Sequence, residues 1–277
     1  MTAFDPNVPG SPDDSAFDTD VTVPHSARVY DYWLDGKDNY AADRMLAEKI
    51  LTVTPRQRRQ VRANRAFLVR AVEYLVRDIG IRQIIDIGSG LPTSPNVHEV
   101  AHAIAPDTRV VYVDNDPIVM AHARALMPRS TCGTVGFVQA DLRQPASIIG
   151  DPITKAMLDP DEPTAVLLVA MLMSLNDSDQ PRSVIDELMR PLPSGSYVAA
   201  THTTADFNPT AMAQHVTAAA EAGMRFVPRD KPAVEGFFAG LELVEPGVVP
   251  VVAWRPHGVI APNPRSVYVY AGVARKP

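Results

Sequence analysis

Cysteine is nearly missing from this chain: Cys132 stands alone among 277 residues, so no internal disulfide can form and nothing calls for an oxidising compartment. No run of about 18 apolar residues occurs, which leaves no candidate for a membrane-spanning helix. The first residues are acidic and Pro-rich, not basic and then apolar as in a secretory signal. Basic residues are absent from positions 1–24, where Asp5, Asp13, Asp14, Asp18 and Asp20 supply five negative charges. The whole chain carries −6, so residues 25–277 are almost neutral, with 26 basic against 27 acidic side chains. Such a body lacks the net basic footprint of a protein that works on a phosphate backbone or an anionic lipid surface. The phosphate-loop lysine pattern and the G-x-S-x-G nucleophile elbow are missing as well, which argues against nucleotide triphosphate hydrolysis and α/β-hydrolase chemistry. The expectation is a soluble cytoplasmic protein with neither nucleic acid nor membrane as partner.

What is present is a chain that is 46% apolar, enough for a substantial core. Residues 1–24, with five Asp and several Pro, read as a solvated, disordered tail. Residues 25–80 read as a helical cover. Helices are expected at 41–51 and 55–78, the second with Val61, Leu68, Val72 and Leu75 on one face. Its other faces carry Arg56, Arg58, Arg59, Arg62, Arg65, Arg70 and Arg77, a pattern that suits a solvated face better than a nucleic-acid surface. Residues 81–277 then alternate short apolar runs with helical segments. Strands are expected at 83–87, 109–113, 134–139, 165–170 and 196–201, with late strands at 241–244 and 267–271. Helices are expected from Pro95, over 117–126 and 178–190, and at 209–222 and 232–239. This alternation is the signature of a parallel sheet covered by helices.

In such a sheet, ligands bind beyond the carboxyl ends of the strands, where the strand order reverses. The first strand ends in Asp86-Ile87-Gly88-Ser89-Gly90, whose glycines permit a tight turn and close backbone approach. A dinucleotide fingerprint needs a third glycine where Thr93 stands, which weakens a nicotinamide reading. The second strand ends in Asp114-Asn115-Asp116. There Asp114 suits a ribose diol, and Asp116 suits the cap of the helix that Pro117 opens. The third ends in Ala140-Asp141-Leu142, where a carboxylate and a backbone N–H suit an adenine edge, and Ala170 closes the fourth.

This succession of strand ends resembles the class I S-adenosylmethionine-dependent methyltransferases. Further stretches are similar to one actinobacterial family, formerly a domain of unknown function and now labelled S-adenosyl methyltransferase. They include His25-Ser26-Ala27-Arg28-Val29-Tyr30-Asp31-Tyr32, Asn64-Arg65-Ala66-Phe67-Leu68, Gly90-Leu91-Pro92-Thr93, Tyr112-Val113-Asp114-Asn115-Asp116-Pro117 and Trp254-Arg255-Pro256. The resemblance covers roughly residues 24–277. It implies a Rossmann-like, mostly parallel seven-stranded sheet with an antiparallel last hairpin, helices on both faces and an N-terminal helical cover. It also implies S-adenosyl-L-methionine as cofactor, without naming a substrate. Where relatives are expected to carry Leu-His after the fourth strand, this chain has Leu172-Met173, which removes one possible proton-transfer group.

The residues expected to hold the cofactor are Arg28, Asp86, Gly88, Ser89, Gly90, Asp114, Asn115, Asp141, Leu142 and Ala170. Arg28 is assigned to the methionyl carboxylate, which suits a guanidinium fork. The sulfonium methyl is already activated, so alignment and water exclusion can supply most of the catalysis. Candidates for a base or for sealing the cleft are His202, Tyr30, Tyr32 and Tyr40. Met171 and Met173, if they line the cleft, favour an apolar acceptor. The main reading is methylation of a small molecule; the alternative is a cofactor-binding sensor or scaffold. A remote rival is zinc hydrolysis, because His98-Glu99-Val100-Ala101-His102 fits H-E-x-x-H. No third ligand is apparent for it, Glu162 and His122 being arbitrary choices, so no metal is expected.

Overall fold

The computed structural model describes residues 20–127, 134–258 and 263–277. Most of the expected acidic tail and all of Cys132 lie outside the described residues. The cover consists of α1 (Ser26–Trp33), α2 (Ala41–Val53) and α3 (Gln57–Glu73), with a wider π-helical turn continuing over Tyr74–Asp78. α1 is not legible as a helix from periodicity, since eight residues make barely two turns.

The sheet-bearing part follows as β1 (Gln83–Ile87), α4 (Val97–His102), β2 (Arg109–Asp114), α5 (Pro117–Leu126) and β3 (Val135–Gln139). Two short helices that the sequence does not announce, α6 (Pro145–Gly150) and α7 (Pro152–Met157), lead to β4 (Ala165–Leu168). Then come α8 (Pro181–Met189), β5 (Tyr197–Thr203), α9 (Pro209–Glu221), α10 (Lys231–Gly236), β6 (Glu242–Leu243), β7 (Val249–Pro250) and β8 (Val269–Arg275). Proline at the first turn recurs in α5, α6, α7, α8, α9 and α10, where its missing N–H costs nothing and its fixed φ suits the helix.

The strands lie in the order β3-β2-β1-β4-β5-β8-β6, and the two-residue β7 pairs with β8 beside this path, which makes eight strands where seven are expected. β1 to β5 pair in parallel, while β8 runs antiparallel to β5, β6 and β7. The order reverses between β1 and β4, so the ligand crevice of this fold opens above their carboxyl ends. β1 and β4 are buried along their whole length because helices cover both faces. Alternate residues serve opposite layers: Ile84, Val110 and Leu167 pack with α3 and α4, whereas Ile85, Val111 and Leu168 pack with α6 and α8. A third, smaller cluster joins Val29, Trp33, Leu46, Ile50 and Val61 of the cover to Ala218 of α9.

The arginines of α3 do more than solvate one face. Arg65 donates to the carbonyls of Thr93 (2.7 Å) and Pro95 (2.8 Å), bracing the loop that follows β1. Arg70 donates to the carbonyls of Trp254 (3.0 Å) and Val251 (2.8 Å), and Arg58 and Arg62 both reach Asp35. Four of the seven thus tie the cover to itself and to the sheet-bearing part.

Candidate functional site

A cavity of about 420 Å³ lies over the carboxyl ends of β1 to β5, within the roughly 300–1,000 Å³ usual for ligand sites. Its floor includes Gly88, Asp114, Asn115, Asp141, Leu142 and Ala170, so six of the ten expected cofactor positions meet in one wall. The roof comes from α1, α3 and α9.

The glycine turn is built as the sequence demands. Gly88 has φ 72° and Gly90 φ 64°, both in the left-handed region. A Cβ on Gly88 would overlap the Met171 side chain, and the positive φ also favours glycine, so this residue suits the close approach of the turn to the end of β4. The Gly88 N–H donates to Val113 O (2.7 Å) and the Gly90 N–H to Asp114 Oδ2 (2.9 Å). Asp114 Oδ1 accepts from the Asp116 N–H (3.0 Å), so one buried carboxylate organises both loops of the rim. Burial raises its pKa, and the two backbone donors oppose that rise. Asp116 caps α5 by accepting from the Ile118 N–H (2.8 Å). Asp141 accepts from the backbone N–H (2.8 Å) and Nε (2.9 Å) of Arg143, whose hydrogen bonds hold its carboxyl below the ordinary range. Ala170 adopts φ 61°, unusual for a residue with a side chain, and its N–H donates to Thr201 Oγ1 (2.8 Å).

Asp86 sits beneath this rim, buried. Desolvation pushes its carboxyl from 3.8 up to about 7, with Arg65 opposing and Asp114 adding to the rise. Between those two values the folded protein holds a proton that the unfolded chain has released. Stability from this group is therefore full at acid pH and falls as pH rises to about 7. Asp86→Asn cannot ionise and is expected to flatten that slope. At pH 8 it should exceed the parent in stability by at most about 4 kcal/mol, taking about 1.4 kcal/mol per pKa unit. Urea unfolding near pH 5 and pH 8 measures this, and equal pH dependence in the two proteins would refute it.

Several expected positions fall elsewhere. Arg28 is 2% exposed, and its Nε donates to Asp43 Oδ2 (2.9 Å) and its Nη2 to Val23 O (2.7 Å). Its Nη1 lies 3.6 Å from Asp116, so the guanidinium fastens the cover to the rim and is not free for a ligand carboxylate. Asp43 also accepts from the His25 and Tyr40 N–H groups (2.9 and 2.8 Å). Tyr40 is partly exposed at the start of α2 beside Arg28, and the Tyr32 hydroxyl bonds Glu48 at the surface; neither lines the cavity. His202 is sealed in the core, with Nδ1 bonded to Thr203 O (2.8 Å) and Nε2 accepting from Arg229 (3.1 Å). Burial pulls its pKa down to about 4, so it is a neutral structural link, not a base at the cleft. Tyr30 does line the cavity, but its hydroxyl donates to Val61 O (3.2 Å) and accepts from Asn64 Nδ2 (3.0 Å).

The H-E-x-x-H segment is spent on packing. Glu99 closes a capping box by accepting from the Asn96 N–H, His98 Nδ1 meets the Tyr112 hydroxyl (2.8 Å), and His102 Nε2 donates to Thr108 O (2.8 Å). Among the described residues no group of His, Cys, Asp and Glu is arranged to hold a metal ion. No helix there is long and apolar enough to cross a membrane.

Apart from Tyr30, sequence reasoning missed the polar and aromatic residues of the roof: Asn64, His215 and Phe226 all line the cavity. Asn64 belongs to a stretch that carries the family resemblance, which was a usable signal. For His215 and Phe226 there was none, since nothing local tells which face of α9, or that the chain just after it, meets the ligand crevice.

Strand order, glycine turn and acid-bearing strand ends together define a class I S-adenosylmethionine-dependent methyltransferase fold. The chain belongs to the S-adenosyl methyltransferase family, whose profile matches residues 12–277 and so reaches further into the acidic segment than the motifs suggest. It is similar to a DUF574-family protein from Streptomyces avermitilis, with 41% identity, a TM-score of 0.90, and 93% of this chain and 99% of that chain covered. It is also similar to a putative methyltransferase from Thermobifida fusca, with 38% identity, a TM-score of 0.87, and coverage of 93% and 96%. No curated protein matches. S-adenosylmethionine is accordingly the cofactor, and the donor set fits it. The Gly88 cradle has no room for a Cβ, Ser89 Oγ is buried without a partner among the described residues, and two acids and Asn115 line the adjoining wall.

Proposed function

We propose that this protein methylates a small molecule held in the same cavity as its cofactor. The observation that carries this reading is the continuity of the cavity. It runs from the acid-bearing ends of β2 and β3, past Gly88 and Ala170, into a chamber roofed by α1, α3 and α9. When bound, S-adenosylmethionine supplies an activated methyl group for in-line displacement by a nucleophile. In this reading Asp114 accepts hydrogen bonds from the ribose diol. Asp141 and the Leu142 N–H meet the adenine edge, and the Gly88–Gly90 turn lets the backbone approach the methionyl part. With the nucleoside over β2 and β3, strand order would direct the reactive end toward β1 and β4. Met171 and Met173, both on the cavity wall, keep that end dry and apolar, which supports catalysis by positioning and desolvation.

The test is turnover. Purified protein incubated with S-adenosylmethionine and a small-molecule fraction of cell extract is expected to release S-adenosylhomocysteine, while the macromolecular fraction alone gives none. Tight cofactor binding with no turnover in any fraction would instead identify a binding protein that uses the ligand as a sensor or scaffold.

A further inference from the structure

The roofed half of the cavity has a distinct chemistry. Trp33 of α1, His215 of α9 and Phe226 form one aromatic wall. The imidazole lies flat on Phe226, with centroids 4.1 Å apart and planes 1° apart, and meets Trp33 edge-on at 6.3 Å. Tyr30 and Met173 contribute further apolar surface. Against this wall, two polar side chains lack partners. Asn64 is 4% exposed; it spends its Nδ2 on the Tyr30 hydroxyl and leaves Oδ1 unpaired among the described residues. His215 is 2% exposed, and its Nδ1 has no hydrogen-bond partner among the described residues. Buried polar groups are almost always paired, so those left without a protein partner usually answer to a ligand or ordered water. Burial holds the His215 pKa down to about 4, which keeps the ring neutral at physiological pH. Among the described residues lining this half, Arg225 alone is permanently charged, and its guanidinium lies 3.7 Å from Asp179.

Resting on the transferase reading above, we infer that this half is the acceptor subsite for a neutral, planar aromatic compound bearing a hydroxyl group, held by Asn64 and His215 against the Trp33–Phe226 wall. The flat rings select a flat ligand. The unpaired Asn64 Oδ1 selects a hydrogen-bond donor, the unpaired His215 Nδ1 offers the same hydroxyl a second polar contact, and a charged acceptor would lose its hydration here without a free counter-charge. In the transfer, a lone pair of the acceptor oxygen forms the new C–O bond as the methyl–sulfur bond breaks. The electron pair of that broken bond stays on sulfur as a neutral thioether, and the hydroxyl proton is released to water, with Asn64 and His215 positioning the hydroxyl.

Three probes of one shape test the subsite in the full-length protein saturated with S-adenosylhomocysteine: 2-naphthol, 2-methoxynaphthalene and 2-naphthoate. By fluorescence titration, 2-naphthol is expected to bind at least fivefold tighter than either of the others. Asn64→Leu and His215→Phe should each reduce that preference to within about twofold, while S-adenosylmethionine affinity stays within about threefold of the parent by calorimetry. If either variant fails to fold, the parent's own ranking still decides: 2-methoxynaphthalene or 2-naphthoate binding as tightly as 2-naphthol overturns the proposal. Normal cofactor binding with no ranking sinks the acceptor assignment alone. Absence of cofactor binding in the parent sinks the transferase reading beneath it.

Discussion

Asp114→Ala is expected to weaken S-adenosylmethionine binding at least tenfold by calorimetry. Two losses combine. The variant lacks the carboxylate that would accept from the ribose diol, and hydrogen bonds to a charged group contribute about 1.5–3 kcal/mol, or roughly ten- to a hundredfold in affinity. It also releases the Gly90 and Asp116 N–H groups, which Asp114 fixes at 2.9 and 3.0 Å, so the glycine turn loses its brace. Asp114→Asn keeps one carbonyl oxygen for one of these donors and should fall between parent and alanine variant. Unchanged affinity in Asp114→Ala would remove Asp114 from the cofactor site.

The largest loss of stability is expected from Trp254→Ala. Trp254 is fully buried, edge-on to Phe67 (5.2 Å) and Tyr74 (5.8 Å), and its carbonyl accepts from Arg70. It therefore plugs the contact between α3 and the chain that leads into β8. Truncating a buried Trp costs about 3–5 kcal/mol through lost burial and the cavity left behind. For a chain of this size that corresponds to a fall in melting temperature on the order of 10 °C. Differential scanning fluorimetry measures it, and a fall under about 3 °C would show that the cluster is not what joins cover to sheet. Trp254→Phe, which keeps the aromatic packing and removes an indole N–H that has no partner among the described residues, should lose far less.

The parts of this protein legible in its sequence are those fixed by neighbouring residues. Asp114 and Asp141 could be placed on one rim because each closes an apolar run and parallel strands bring their carboxyl ends together, whereas Asp86, one residue short of the end of β1, lies buried beneath that rim. Gly88 could be assigned to a close approach because a turn after a strand needs its backbone freedom, although the Met171 side chain that makes the approach tight comes from beyond the end of β4. Short helices escaped the same reasoning: α1, α6 and α7 are too brief for a 3.6-residue period to emerge. The expected solvated arginine face of α3 failed in part, because a guanidinium finds carbonyls such as those of Thr93 and Trp254 only once distant segments have packed.

Among the site residues, the tertiary structure reassigned those whose role depends on which partner lies nearest. Arg28 has the chemistry to meet a carboxylate, and it meets one, but that carboxylate is Asp43. His202 stands just where a base would be useful along the chain, yet β5 continues through it and Arg229 takes its lone pair. His98 and His102 have metal-ligand spacing, and their ring nitrogens go to Tyr112 and Thr108. Conversely, Asn64 and His215 gain importance only because α3 and α9 converge over one cavity.

The alternating architecture, the glycine turn and the two acids of the rim, Asp114 and Asp141, could be read from contiguous residues, because strand ends and turns are local properties. Only the tertiary structure decided the roof of the cavity and which polar groups remain unpaired beneath it. A hydrogen bond is settled by distance in space, and spacing along the chain does not encode which of several chemically able groups arrives first.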